Sequence, residues 1–373
     1  MQQTLRPYVT AGVAIVGASL VAATPVVAPP HGMTVVPDIT LTASDAWADA
    51  LNLASENLTQ LMNNVNLAPG VAFQQFLANQ YDYAQQLLDD PANITAVTEQ
   101  IRHNLDGLFT GYALTNPTTE TLETVLSHTL FAGDPVTSTL GWYDLFAGPL
   151  AQIAGGMFPA EMIPVLHMLS SPLSGIIMGS LGPLIAPWVG LLNSITDHDS
   201  LGDILANTFG AFLNGATLNL DSLVPLINEI GGGLLPAGSE LTHVDIAFGG
   251  LFTAGDVAID PYQVAGPGGA LIDATPAVGG SILNSVGLGL VGVPVLGALN
   301  LESHAVGPLA AWQAWGQTVG ALLGSGWDGK GAVPVAPPLS DSDLPLITDL
   351  DDGGVGGAAA SDWFADLLTG FSF

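Results

Sequence analysis

Between Met162 and Thr196 the chain reads MIPVLHMLSSPLSGIIMGSLGPLIAPWVGLLNSIT, with no Asp, Glu, Lys or Arg. A bilayer-spanning helix needs ~20 apolar residues, so the run is long enough. Pro164, Pro172, Pro183 and Pro187 interrupt it. Each removes a helix hydrogen bond and crowds the preceding turn. The pattern therefore predicts a segment apolar enough for a membrane but too broken for one clean helix.

Upstream, residues 44–131 carry ordinary amphipathic periodicity. Ser44 is placed to cap a helix with Trp47, Leu51, Ala54, Leu58, Leu61 and Val65 on one stripe, and Asn57, Gln60, Asn63 and Asn64 on other faces. A second helix carries Phe73, Phe76, Leu77, Ala84, Leu87 and Leu88 and ends before Pro91. A third carries Ile94, Val97, Ile101, Leu105 and Leu108. A fourth is expected to open with Asn116 as cap and Pro117 in the first turn, with Leu122, Val125, Leu126, Thr129 and Leu130 as its stripe. Four such helices with short links suggest a bundle or a hairpin pair.

From 132 to 330 Gly and Pro punctuate apolar segments. A small-Pro-Leu unit recurs at Gly148, Ser171, Gly182 and Gly307, each able to start a helix with Pro in its first turn. His243 to Phe248 alternates like a strand, and Gly249-Gly250 could turn it back toward Val257 and Ile259. The run Ala274–Leu301 is also uncharged, and Leu309, Trp312, Trp315, Val319, Leu322 and Leu323 share one helical side. The fold class expected is mainly α: an amphipathic helical N-terminal region, Gly/Pro-broken apolar helices, one β-hairpin near 242–260, and no regular β-barrel pattern.

Around these regions, residues 1–28 read as an export signal: Arg6, an apolar run Tyr8–Val27, then small residues at Ala22, Ala23 and Ala28. Residues 29–43 form a linker, with a short strand pattern in Asp38–Thr42. Residues 331–373 are a Pro-rich, then acidic tail, expected to be flexible to about residue 360.

Charge changes the picture most. Thirty-three acidic residues face three basic ones, for a net charge of −30, while mean hydropathy is +0.48. Such a surface repels nucleic acid and anionic lipid and attracts small cations. Cysteine is absent, which excludes disulfides, Cys-zinc sites and thiol catalysis.

Motifs for chemistry are weak. Gly324 to Lys330 fits the start of a phosphate-binding loop, but Gly331 stands where Ser or Thr is required and AVPVAPP cannot continue as a helix. Asp197, His198, Asp199 and Asp203 lack the spacing of a calcium loop and read as capping residues after Ile195. The seven His residues, at 31, 103, 128, 167, 198, 243 and 304, are scattered. Gly175 and Gly179, and the tandem Gly316, Gly320 and Gly324, have the spacing of close helix contacts, at about the frequency that chance gives in so glycine-rich a chain. Trp312 and Trp315 read as core. No catalytic, cofactor-binding or metal-binding residue is expected, and no pore-lining residue is assigned.

The stretches LRPYVTAGVAIVGASLVAATPVVAPP, DITLTAS, DAWADALNLASENLTQLMNNV and FQQFLANQ resemble exported proteins of mycobacteria and related mycolic-acid-bearing actinobacteria, the GjpA-type outer-membrane porins. The likeness covers roughly residues 4–110. It implies a location in the cell envelope or outer membrane and a passive channel for small hydrophilic solutes, with envelope lipid, small cations and further copies of the chain as partners. An acidic lumen would favour cations. The uncharged runs and the short signal favour that channel, while the Pro density and the soluble-type helices at 44–131 favour a second class, a non-transporting secreted or envelope-associated structural or interaction protein; an enzyme is not expected.

Overall fold

A computed structural model describes residues 45–133, 140–148, 150–151, 158, 160–230, 238–257, 261–266, 269–324 and 335–338. Of these, 61% are helical and 15% are in strands, with no closed barrel. The mainly α expectation is met. The export signal, the linker with its short strand, the Ser44 cap, most of the phosphate-loop stretch and nearly all of the C-terminal tail lie outside the described residues.

The helical region opens with α1 (Asp45–Leu67), α2 (Val71–Asp89), α3 (Ile94–Ala113) and α4 (Thr119–Thr129). Asp90 ends α2 and caps the Pro91 turn through Ala92 N–H. The start of α4 differs from expectation: its cap is Thr118, whose hydroxyl accepts from Thr121 N–H, while Asn116 sits in the left-handed region. Pro117 is thereby left in the connection, and the helix begins where a side-chain acceptor can reach a free N–H.

The α1 stripe also divides differently. Ala54 and Leu61 are buried, but Leu51 and Leu58 are exposed. Asn64, expected on a polar face, is 1% exposed and donates to Pro276 O at 2.7 Å. Periodicity identifies a helix; the neighbours decide which face is covered.

Next come α5 (Trp142–Phe146), α6 (Ile163–Leu169), α7 (Pro172–Thr196) and α8 (Leu201–Asn214). The break expected within 162–196 occurs once, between Leu169 and Pro172. Ser171 caps α7 and Pro172 opens it, as the recurring unit predicts. Pro183 and Pro187 do not interrupt it: both lie inside one continuous helix, so the Gly182 unit does not start a new one. An interior proline costs about 3 kcal/mol or more. Packing of α7 on α8, on the strands at Ala216–Asn219 and Glu240–Phe248 and on the helix at Pro308–Leu322 offsets that local cost.

The sheet comprises β1 (Ala216–Asn219), β2 (Glu240–Phe248), β5 (Val286–Val293) and β6 (Gly297–Leu301), antiparallel in the order β1-β2-β5-β6. A short helix α9 (Val224–Ile230) lies between β1 and β2. Registers include Thr217 opposite Ala247, Val244 opposite Leu288 and Leu290 opposite Leu299. The strand at 243–248 is therefore present, but its partners are β1 and β5 and not the segment that follows it. Val257 is instead fully buried in the core, and Ile259 lies outside the described residues. Gly249 and Gly250 lead the chain into contact with the end of α8, where Leu251 N–H donates to Phe212 O. A two-stranded pair, β3 (Tyr262–Ala265) and β4 (Leu271–Thr275), stands apart. Helix α10 (Pro308–Leu322) closes the described order before residues 335–338.

Two apolar clusters hold these elements. One gathers Leu61, Val71, Leu108, Ile176, Tyr262, Trp315 and Val319 from across the chain. The other sets Leu126, Leu130, Trp142 and Leu166 against Leu241, Leu290 and Leu301 of the sheet. Leu322 packs on both. Helices from 45–129 thus share their core with residues beyond 240.

Candidate functional site: an exposed apolar face on three helices

Helix α7 has two unlike sides. On one, Gly175, Gly179 and Gly182 lie against the backbone at Gly280, Gly307 and Gly249, so close that an added Cβ would meet each carbonyl oxygen under 3.0 Å. This small-residue ridge seats the helix on three loops of its own chain. The Gly175–Gly179 spacing thus mediates close contact between a helix and loops. The tandem at 316–324 forms no such ridge: an added Cβ at Gly316 or Gly324 would meet nothing.

On the other side, Ile177, Leu181, Leu184, Trp188, Leu192 and Ile195 are all exposed, Trp188 at 72%. Their spacings of three and four place them on one helical face. Helix α8 repeats the arrangement with Leu201, Leu205, Phe209 and Phe212, Leu201 at 75% exposure. The two helices run together because Gly190 admits Ala211 and because Asn207 Nδ2 donates to Ser194 Oγ at 2.9 Å. Helix α1 joins on the far side of α8: Gly210 faces Ala50, and Asn214 Nδ2 donates to Ala50 O at 2.7 Å. The Trp47 and Phe209 rings stand 5.8 Å apart, linking the α1 stripe of Leu51, Leu58 and Met62 to that of α8.

Across residues 172–214 the only charged side chains are Asp197, Asp199 and Asp203. They lie at the helix ends, as read from the sequence, but the side chain that caps α8 is Ser200. Asp197 ends α7, Asp199 accepts from Asn207 Nδ2 at 2.9 Å, and Ser200 donates to Asp203 at 2.6 Å while capping α8. Large apolar side chains gathered in this way on a surface mark contact with a partner or a membrane. By length and composition, α7 is the one described helix able to cross a membrane, and half of its most apolar window is buried in the protein.

Elsewhere the titratable groups form structural pairs. His243 Nδ1 meets Asp221 Oδ1 at 2.8 Å and its Nε2 meets Asp245 Oδ2 at 3.2 Å. The Val244 N–H, then Asn219 and His243, hold the Asp221 carboxyl below the ordinary carboxylate range. His304 stacks on Phe131 with ring centres 3.9 Å apart, and Asp256 Oδ2 lies 3.7 Å from its Nδ1. Burial pushes the His304 imidazole down, against the upward pull of Asp256 and Glu302. His167 is half-buried, and burial lowers its basicity too. Among the described residues, no three His, Asp or Glu side chains gather so as to hold a metal. An open groove of about 310 Å³ between α1 and β4, lined by Ser55, Glu56, Thr59 and Gln60 with Thr275 and Pro276, brings only one carboxylate.

The exposed stripe is readable in the sequence as the 177, 181, 184, 188, 192, 195 series. Which face is exposed is not, because the other faces of α7 are equally uncharged. No family model matches this chain, and no curated protein or solved structure is significantly similar to it.

Proposed function

We propose that this chain is an exported cell-envelope protein that lies on a lipid surface through the α7–α8–α1 face, without transporting solutes. Export and envelope location rest on the sequence of residues 1–28 and on the family resemblance of residues 4–110. The surface association rests on one observation: the apolar stripe of α7, continued on α8, points away from the core while the glycine ridge of α7 binds that helix to the protein. An interfacial helix buries one face at the headgroup boundary and keeps the other on the protein. A spanning helix would have to leave the Gly249, Gly280 and Gly307 contacts.

The absence of cysteine makes a site-specific test simple. Leu192→Cys, Leu205→Cys and the α3 control Thr98→Cys, each in the full chain, take an environment-sensitive fluorophore at one position. On phosphatidylcholine vesicles, labels at 192 and 205 are expected to brighten and shift blue, while the label at 98 stays unchanged. Labels at 192 and 205 that ignore vesicles would refute lipid association by this face, whatever residues 1–28 do. The channel reading makes the opposite demand: discrete, cation-selective conductance steps in a planar bilayer, which a surface-bound protein does not produce.

A further inference from the structure

Resting on that lipid-surface reading, the charge distribution around the face points to its partner: we infer that it takes an uncharged or zwitterionic lipid surface and is driven off anionic lipid. Interfacial helices that select anionic membranes carry Lys and Arg on their polar faces, which attract the negative surface. Here α7, α8 and their connection contain no Lys or Arg. The connection and first turn of α8 instead carry Asp197, Asp199 and Asp203, and α1 likewise contains no Lys or Arg. Arg102 is the single Lys or Arg among the described residues. It lies on α3, engaged with Glu99 at 3.0 Å and Asp106 at 3.3 Å. Among the described residues no Lys or Arg is therefore placed to draw this face toward phosphate or carboxylate headgroups, while the net charge of −30 opposes approach to any negative surface.

The same charges argue against a second copy as the occupant. Face-to-face pairing would bring together two copies of net charge −30 with no Lys or Arg on either face to meet them. Apolar contact with neutral headgroups carries no such opposition. Its salt dependence follows: screening removes the repulsion, so added salt should not weaken binding to neutral vesicles and should partly restore binding to anionic ones.

The experiment uses the full chain labelled at Leu192→Cys or Leu205→Cys. It compares phosphatidylcholine vesicles with vesicles about one-third phosphatidylglycerol, at about 0.02 M and about 0.5 M NaCl. Partitioning reported by the label is expected to fall at least ~10-fold on the anionic vesicles at low salt and to recover substantially at high salt. On neutral vesicles it should hold or rise with salt. Stronger binding to the anionic vesicles, or binding to them that salt abolishes, would overturn the inference while leaving lipid association intact. No response on any vesicle would defeat the lipid reading and the inference with it. A blue shift that grows with protein concentration in the absence of lipid would give the face to a second copy and overturn both. Replacing Asp197, Asp199 and Asp203 together by Asn should reduce the discrimination against anionic vesicles; an unchanged ratio would show that these three carboxylates do not set it.

Discussion

The backbone N–H of Phe131 donates to the side-chain oxygen of Asn284 at 2.6 Å, across 153 positions of sequence. The other end of the same amide donates to Asp256 O at 3.0 Å. The Asn284 carbonyl accepts from His304 N–H at 2.8 Å, and its own N–H reaches Ser281 Oγ at 3.1 Å. One fully buried asparagine thus ties the end of α4 to three later segments.

Asn284→Ala should therefore be severe. It leaves a buried N–H and a carbonyl without their partner, each costing about 1–3 kcal/mol. A loss of roughly 2–5 kcal/mol is expected in urea denaturation. A midpoint unchanged from the parent would show that the network contributes little.

Two helix-interior glycines should answer an alanine oppositely. Gly182→Ala drives a Cβ into the Gly249 carbonyl oxygen, so α7 must shift or lose its seat. Gly316→Ala meets nothing and should gain about 0.5–1 kcal/mol from reduced backbone freedom. Thermal unfolding of the pair decides this. Equal tolerance would mean that the ridge contact is not held in solution.

Val295, at the tip of the β5–β6 hairpin, is 86% exposed with φ 71°. A β-branched residue is strained there, at a cost of order 1–3 kcal/mol. Val295→Gly should stabilise the protein by about 1 kcal/mol, because relief of strain exceeds glycine's added chain entropy. A lower denaturation midpoint would contradict this.

Acid should weaken the fold in two stages. Burial lowers the folded His304 pKa below that of the unfolded chain, so the unfolded state binds the extra proton first. This contribution is present above the ordinary imidazole value of about 6.5 and is lost as pH falls through the folded value. Asp221, lowered mainly by the Val244 N–H, follows the same sign below about pH 4. Denaturation at neutral and mildly acidic pH should show the first loss, and His304→Phe should reduce it. A variant with the parent's pH slope would assign the loss to other groups.

Much of the helical layout is legible in the residues themselves. The Val125, Leu126 and Leu130 stripe is buried as periodicity requires, Ser171-Pro172 starts α7, and Trp315 lies in the core against Tyr112. The sheet is less so. Val286 to Val293 alternates Val or Leu with Gly in part, a period-two signal muted by the lack of polar residues on the other face. β2 pairs with β5 some forty residues later, a choice that no local pattern contains.

What the sequence determined alone is local: which N-terminal segments are helical, which segments are uncharged, and that the chain is too poor in cations to be held by salt bridges. Only the tertiary structure decided which sides of those segments are covered. In α7 no face carries a charge and large apolar residues occur all round, so hydrophobicity chooses poorly among them. The choice falls to shape, because only Gly175, Gly179 and Gly182 let backbone approach backbone, and that contact leaves Leu184, Trp188 and Leu192 facing outward.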